Sequence, residues 1–299
     1  MKTVHAYQRG CNGWGIFYQR EDLLVYTTLF SVISKEMGLH VIAFSPMFNH
    51  THSGFAEITS RKLETFHRRL NAIFVREYNQ HYQRSGSLLQ SPFGQSEKYG
   101  GKTILGNVAY IFNNCVAGKM YLTAVEYRWT LLAYRNSRHP FSEQIHREHR
   151  SNRMRKAMSR VDYCLSRGWY LNYSVLRDIL DGLDEKETEQ LTDYILSKYN
   201  FLDYSYLDKL YDSYESLLLA LKSTAGTEYD LAEEYEDHSC YMKMLKVMEK
   251  FGYRGVNVES LDYSEKNKLI RYINRTVSPT RDQIWKFFHL KQQWELRRK

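Results

Sequence analysis

Residues 2 to 9 alternate between apolar and polar side chains, the period-two pattern of a half-buried strand, and Gly10, Gly13 and Gly15 interrupt it as a loop. From about Gln19 to Met37 the apolar positions Leu23, Leu24, Tyr26, Thr27, Phe30 and Ile33 recur every three or four residues, which predicts an amphipathic helix. Leu39 to Met47 reads as a second strand. Asn49 breaks it and His50 to Ile58 alternates again, so the two predict a hairpin-like pair. Ser60 is placed to cap a long helix whose Leu63, Phe66, Leu70, Phe74 and Tyr78 share one face, with Ser85-Gly86 at its end. A short strand near Leu88, a polar glycine-rich loop from Gly94 to Gly101 and a helix from about Lys102 to Val116 follow, and Tyr121 to Tyr134 completes the unit. This order predicts an α+β fold with helices on one face of an antiparallel sheet, and everything after about Pro140 reads as helical.

Composition narrows the class. The 299 residues are 43% hydrophobic and 25% charged, which is globular, and four prolines and sixteen glycines exclude collagen-like and low-complexity chains. No apolar run approaches the roughly 18 residues of a membrane span, and the first nine residues lack a signal-peptide core, so a soluble, cytoplasmic protein without a membrane partner is expected. Cys11, Cys115, Cys164 and Cys240 are scattered with no C-x-x-C pair and read as reduced thiols.

The formal net charge of +8 is clustered, and a cluster of cations attracts phosphate where an even scatter does not. Arg135, Arg138, Arg147, Arg150, Arg153, Arg155, Lys156 and Arg160 face only Glu143 and Glu148 within residues 135 to 160, and the last 36 residues are also basic. Residues 178 to 236 are acidic, with four lysines. These shifts predict separate modules at 1–136, at 137–260 (basic, then acidic) and at 261–299. The basic stretches favour nucleic acid as the partner.

His50-Thr51-His52 puts two imidazoles two residues apart on a strand, so both project from one face and can bind one metal ion, although the spacing alone also fits two surface histidines. The surrounding Phe44-Ser45-Pro46-Met47-Phe48-Asn49-His50-Thr51-His52-Ser53-Gly54-Phe55 resembles the A-Y-x-x-M-P-N-H-V-H-x-L segment of the REP-associated tyrosine transposases, a branch of the single-tyrosine HUH transposases. Tyr7 to Asn12 with Ile16-Phe17 is similar to that family's N-R-G-N-x-x-x-x-I-F opening, and Tyr78-Asn79 with Arg84-Ser85-Gly86-Ser87-Leu88 to its Y-x-N and R-x-G-x-L-F segments. Tyr110 to Gly118 resembles Y-I-x-x-N-P-V-x-A-G, with Cys115 in place of proline, and Glu126-Tyr127-Arg128-Trp129 resembles E-D-Y-x-W. The pieces keep the family's order and spacing over residues 4 to 134.

The resemblance implies a ferredoxin-like HUH domain followed by an all-helical C-terminal region, and a function in DNA transposition. It implies that His50, His52 and Asn107 hold a divalent cation, Mg or Mn, which polarises the scissile phosphate of single-stranded or hairpin DNA. It also implies a helical tyrosine that attacks this phosphate to leave a 5′-phosphotyrosine. Here the chain departs from the family: seven residues before Tyr110, where that tyrosine belongs, stands Thr103. An aliphatic hydroxyl is far less acidic than a phenol and needs a base that the pattern does not supply. Tyr99, one turn earlier beside Gly100 and Gly101, is the candidate displaced nucleophile. The leading expectation is therefore a DNA-binding protein without strand cleavage, with Arg84 of the R-x-G turn and the 135–160 cations on the DNA and a homodimer allowed. The alternatives are an active nickase using Tyr99 and a hydrolase in which the H-x-H site activates water, the second disfavoured by the basic charge.

At the C-terminal end, Ser264 is placed to cap a helix with Leu269, Ile270 and Ile273, and Thr280 and Gln283 form a capping box before Ile284, Phe287 and Phe288. Lys291 to Lys299, with Trp294 and Leu296, then reads either as a short recognition helix or as the end of an ordinary bundle. Residues 160 to 240 carry no motif, and Leu217-Leu218-Leu219 reads as core.

Overall fold

The alternating first segment forms β1 (Lys2–Arg9) at the inside of a sheet, where both of its edges are paired. It is followed by α1 (Arg20–Glu36), β2 (His40–Pro46), β3 (His50–Ala56), α2 (Ser60–His81), β4 (Gly94–Tyr99) and α3 (Gly101–Ala117) in this computed structural model, which describes residues 2–145, 150–224 and 236–290. The strands make one antiparallel sheet in the order β2-β3-β1-β4. In its register Tyr7 lies opposite His52 and Arg9 opposite His50.

β4 corrects the sequence reading, which has a loop at Gly94 to Gly101 and a strand near Leu88. Leu89 makes only a single bridge to Gly10, while Gly94 to Tyr99 pairs along β1. Its side chains alternate between half-buried and exposed, and all but Tyr99 are polar or absent, so an edge strand carries no apolar period to read. Gly94 is required there because a Cβ would lie 1.9 Å from the Tyr7 ring.

Strand alternation gives the sheet two chemically different faces. On one, Phe55 packs against Phe30 of α1 and Phe66 of α2, and Thr51 meets the Tyr26 hydroxyl at 3.2 Å. On the other lie His5, Tyr7, Arg9, His50, His52 and Gly54, covered by α3. There Gly54 leaves room for Ile111, whose Cδ1 would be 3.2 Å from any added Cβ. The third helix thus closes the face that α1 and α2 leave open.

Short 3-10 turns over residues 124–135 lead into α4 (Asn152–Ser166), α5 (Tyr173–Leu180), α6 (Glu185–Lys198), α7 (Tyr204–Tyr211), α8 (Tyr214–Thr224), α9 (Ser239–Lys250), α10 (Tyr263–Thr276) and α11 (Arg281–Phe288). An N-terminal mixed α/β region with a four-stranded antiparallel sheet is therefore followed by an all-helical C-terminal region. α4 to α8 continue the α/β core, which runs from Val4 to Leu221 without interruption. A second core holds Tyr241 to Leu290 together with Phe48, so α9 sides with α10 and α11 and the core divides before residue 260. The basic and acidic stretches touch each other: Arg135 pairs with Asp208 at 2.7 Å, Glu143 with Lys186 at 2.6 Å, and Arg153 donates to the Gly182 carbonyl at 2.8 Å.

Buried Asp22 ties the two regions together, accepting hydrogen bonds from Tyr82 at 2.9 Å, Tyr173 at 2.8 Å and the Tyr18 amide at 2.8 Å. Burial pushes its carboxyl up to about 7 against these bonds. Asp262 rather than Ser264 caps α10, and Thr280 and Gln283 form the expected box at α11. All four cysteines are free, and among the described residues no helix is long and apolar enough to cross a membrane.

Candidate functional site

The register of β1 against β3 collects three imidazoles on one face. His5 Nε2 and His52 Nδ1 are 2.8 Å apart, and the His50 and His52 rings lie 4.9 Å centroid to centroid, edge to face. His50 Nδ1 meets Asn49 Oδ1 at 2.8 Å, while Asn49 Nδ2 donates to the Gly13 carbonyl at 2.9 Å. His52 Nε2 is buried with no hydrogen-bond partner. A fourth imidazole arrives from the helical region: His238, just before α9, has its ring 5.3 Å from that of His50 and a buried Nδ1 without a partner. Its amide donates to the Gly118 carbonyl at the end of α3 at 2.9 Å.

Burial holds all four rings in their neutral form near pH 7. It lowers His5, with help from Lys98, to about 4, and His238 to about 4. It takes His50 and His52 well below the ordinary histidine value, the neighbouring imidazoles and Arg9 adding to the effect. Neutral imidazole is the ligand form of the side chain. Among the described residues no three His, Cys, Asp or Glu side chains meet as a ready-made metal centre. The imidazoles that come nearest to such a set are His50 and His52, and His52 Nε2 is buried without a hydrogen-bond partner.

α3 lays a polar stripe along this face at helical spacing: Thr103, Asn107, Tyr110 and Asn114. Tyr110 sits against both His5 and His52, with centroids 5.7 and 5.8 Å away. Asn107 Nδ2 lies 3.4 Å from His5 Nδ1, so the contact it makes is with His5, and through His5 it connects to His52 rather than meeting the H-x-H pair directly. Thr103 is exposed in the first turn. Tyr99 lies opposite Lys2, on the α1/α2 face of the sheet. Its hydroxyl donates to Glu97 on that same side, so the structure sets it across the sheet from the histidines.

Beside the imidazoles opens a cleft of about 730 Å³ between the α/β region and α9–α11. Arg9, Asn12, His50 and Asn114 form one wall, and Glu236, His238 and Lys286 face them. Lys286 is paired with Glu236 at 3.1 Å and Asp282 at 2.7 Å.

Several arginines assigned to DNA from sequence have protein partners. Arg84 has a side chain only 5% exposed and bonds Asn79 at 2.7 Å and Glu259 at 3.0 Å. Arg135 is bidentate to Asp208, and Arg153 donates to the Gly182 carbonyl at 2.8 Å. Arg138 and Lys156 are exposed, Arg155 is exposed and donates to Asn152, and Arg150 is half-buried. Arg147 and the 291–299 segment lie outside the described residues. Along α4, Lys156, Arg160, Tyr163 and Arg167 are spaced by four, three and four residues and form an exposed stripe ending at Trp169. Arg160 lies over Tyr163 and Arg167 over Trp169, at 5.6 and 5.8 Å.

Sequence reasoning missed His5, His238, Lys286 and the Tyr163–Trp169 end of this stripe. His5 has a signal in retrospect, since it alternates with Tyr7 and Arg9 in β1. His238 has none, because nothing in the spacing brings it to His50.

No family model matches the chain, and no curated protein does. The solved structure of a REP-associated tyrosine transposase bound to a REP hairpin is distantly similar. The likeness covers 42% of this chain and 73% of that one, with 12% identity and a TM-score of 0.31.

Proposed function

We propose that this chain is a transposase-like DNA-binding protein that holds single-stranded or hairpin DNA at the histidine face without cutting it. The observation that carries this reading is Thr103 at the exposed end of a polar helix stripe that runs along paired imidazoles. The ordered motifs over residues 4 to 134 support the class. His50 and His52 are the residues that would hold Mg or Mn, which supplies polarisation of a phosphate oxygen when bound. In this reading Arg9 at the cleft meets phosphate at the histidine face, while Lys156, Arg160 and Arg167 along α4 and its C-terminal cap, on the α1/α2 side of the sheet, offer a separate basic stripe with Tyr163 and Trp169 as stacking surfaces for unpaired bases. The Thr103 hydroxyl cannot replace a phenol there, because among the described residues no basic side chain is hydrogen-bonded to it.

The test is incubation of the full chain with a labelled hairpin carrying single-stranded flanks, with and without manganese, read by anisotropy and by denaturing gel. Binding that weakens as salt rises, with no covalent adduct, is expected. No preference over blunt duplex, or a wild-type adduct that disappears in Tyr99→Phe, would overturn the reading.

A further inference from the structure

The links Asn107–His5–His52 and Asn49–His50 constrain where protons can sit. A neutral imidazole has one N–H and one bare nitrogen, and a hydrogen bond between two rings needs one of each. For His50 the answer is fixed. Asn49 uses its NH2 on the Gly13 carbonyl, so it turns Oδ1 toward His50, whose Nδ1 must carry the proton and whose Nε2 is bare.

For His52 there are two self-consistent arrangements. If Asn107 presents its NH2 to His5 Nδ1, that nitrogen is bare and His5 Nε2–H donates to His52 Nδ1. The proton of His52 then sits on Nε2, a buried position with no acceptor. If the amide is turned over, Oδ1 accepts from His5 Nδ1–H, His5 Nε2 accepts from His52 Nδ1–H, and His52 Nε2 is a bare lone pair. The oxygen and nitrogen of an amide occupy nearly the same positions, so the fold accommodates both. The second avoids stranding a buried N–H, the rarer and costlier defect.

We propose that His5 and Asn107 are positioning residues that hold His52 in its Nδ1–H tautomer, matching the tautomer that Asn49 imposes on His50, so that both H-x-H imidazoles present a bare Nε2. Asn107 then acts through His5 rather than as a ligand. The proposal rests on the cation reading above only for the use of those lone pairs. The tautomer itself is a property of the metal-free chain.

The experiment is a long-range proton–nitrogen correlation on full-length protein carrying 15N-histidine, metal-free at neutral pH, with each ring assigned from a single-histidine deletion. His50 and His52 are expected as Nδ1–H. Asn107→Leu, at a half-exposed position that the helix tolerates, should move His52 toward Nε2–H and leave His50 unchanged. Asn107→Asp, which can only accept, should keep His52 as Nδ1–H. His5→Phe should release His52 and His5→Gln, whose Oε1 can accept, should hold it. In parallel, calorimetric titration with Mn2+ alone should show 10- to 100-fold weaker binding in Asn107→Leu and His5→Phe, the usual cost of losing such support, with recovery in His5→Gln. An Nε2–H signal for wild-type His52, or a His52 tautomer indifferent to Asn107→Leu, overturns the proposal. The expected tautomers without any Mn2+ binding would support the positioning role and overturn the cation reading.

Discussion

Phe48 sits in the β2–β3 turn two residues before His50 and is 4% exposed, yet it belongs to the second core and not to that of its own sheet. Its ring stacks on Tyr241 at 4.4 Å and Phe287 at 5.5 Å, with Tyr18 edge-on at 5.2 Å. Phe48→Ala removes a buried phenyl ring, a loss of about 3–5 kcal/mol, and the stacked neighbours add about 0.5–1.5 kcal/mol per pair to what burial alone supplies. Collapse cannot close the gap cheaply, because one wall is backbone: a Cβ at Gly15 would lie 2.4 Å from Phe48 Cζ. We therefore expect about 4–5 kcal/mol, the upper half of that range. The turn itself stays anchored, since the Phe48 carbonyl accepts the Ile16 and Phe17 amides at 2.9 and 3.1 Å. The loss should fall on the docking of α9–α11. Urea unfolding followed by tryptophan fluorescence, which senses the Trp14–His289 stack at 4.9 Å, should show a new early transition ahead of an unchanged main one. A single transition displaced by less than about 1 kcal/mol would refute the reasoning.

Three further outcomes are expected. Glu259, held by His289 and Arg84, has its carboxyl lowered to about 2, so the docking it supports is complete above the ordinary carboxyl value of 4.5 and is lost as pH falls from there toward 2. Acid titration of the Trp14 signal should show this, and Glu259→Gln should remove the dependence. Replacing Lys156, Arg160 and Arg167 together by alanine should make the salt dependence of single-strand binding shallower by about 2 in slope, about 0.7 per cation, whereas Arg135→Ala, which breaks the pair with Asp208, should lower the melting temperature and leave the slope unchanged. Thr103→Tyr puts a phenol on the turn before Asn107 and should yield a manganese-dependent covalent adduct on a denaturing gel. A gel without adduct would mean that the histidine face lacks more than the nucleophile.

Segments whose apolar period is set by one buried face were legible in the sequence. α1, α3 and the β2–β3 hairpin fall within a residue or two of their expected places, and α2 starts where expected but ends at His81, short of Ser85-Gly86; all of them bury apolar side chains in one core. β4 was not, because Gln95, Ser96, Glu97 and Lys98 satisfy their backbone along β1 while burying almost nothing. The charge runs do not show their own contacts: that Arg135 meets Asp208, 73 residues further on, is visible only in the fold. At the site, the H-x-H pair follows from strand alternation. His5 follows only once β1 is known to pair with β3 in a register that puts Tyr7 opposite His52.

The last of the site lies beyond any local rule, and the reason is its position between two cores. One wall of the cleft is the β2–β3 turn and the other is the stretch from Glu236 to His238 with Lys286, and these walls meet through Phe48 and through the His238 amide on the Gly118 carbonyl. Burial keeps His50 neutral and the nearby His238 imidazole adds to the effect, so the chemistry of the H-x-H pair depends on a residue almost 190 positions away in the chain. Undocking of α9–α11 therefore does two things at once: it opens the cleft, and it returns water to His50. On this argument Phe48→Ala and the acidification of Glu259, which act on opposite sides of the same interface, should both move the His50 imidazole toward its ordinary histidine titration range, and His5, lying on the β4 side of His52, should change much less.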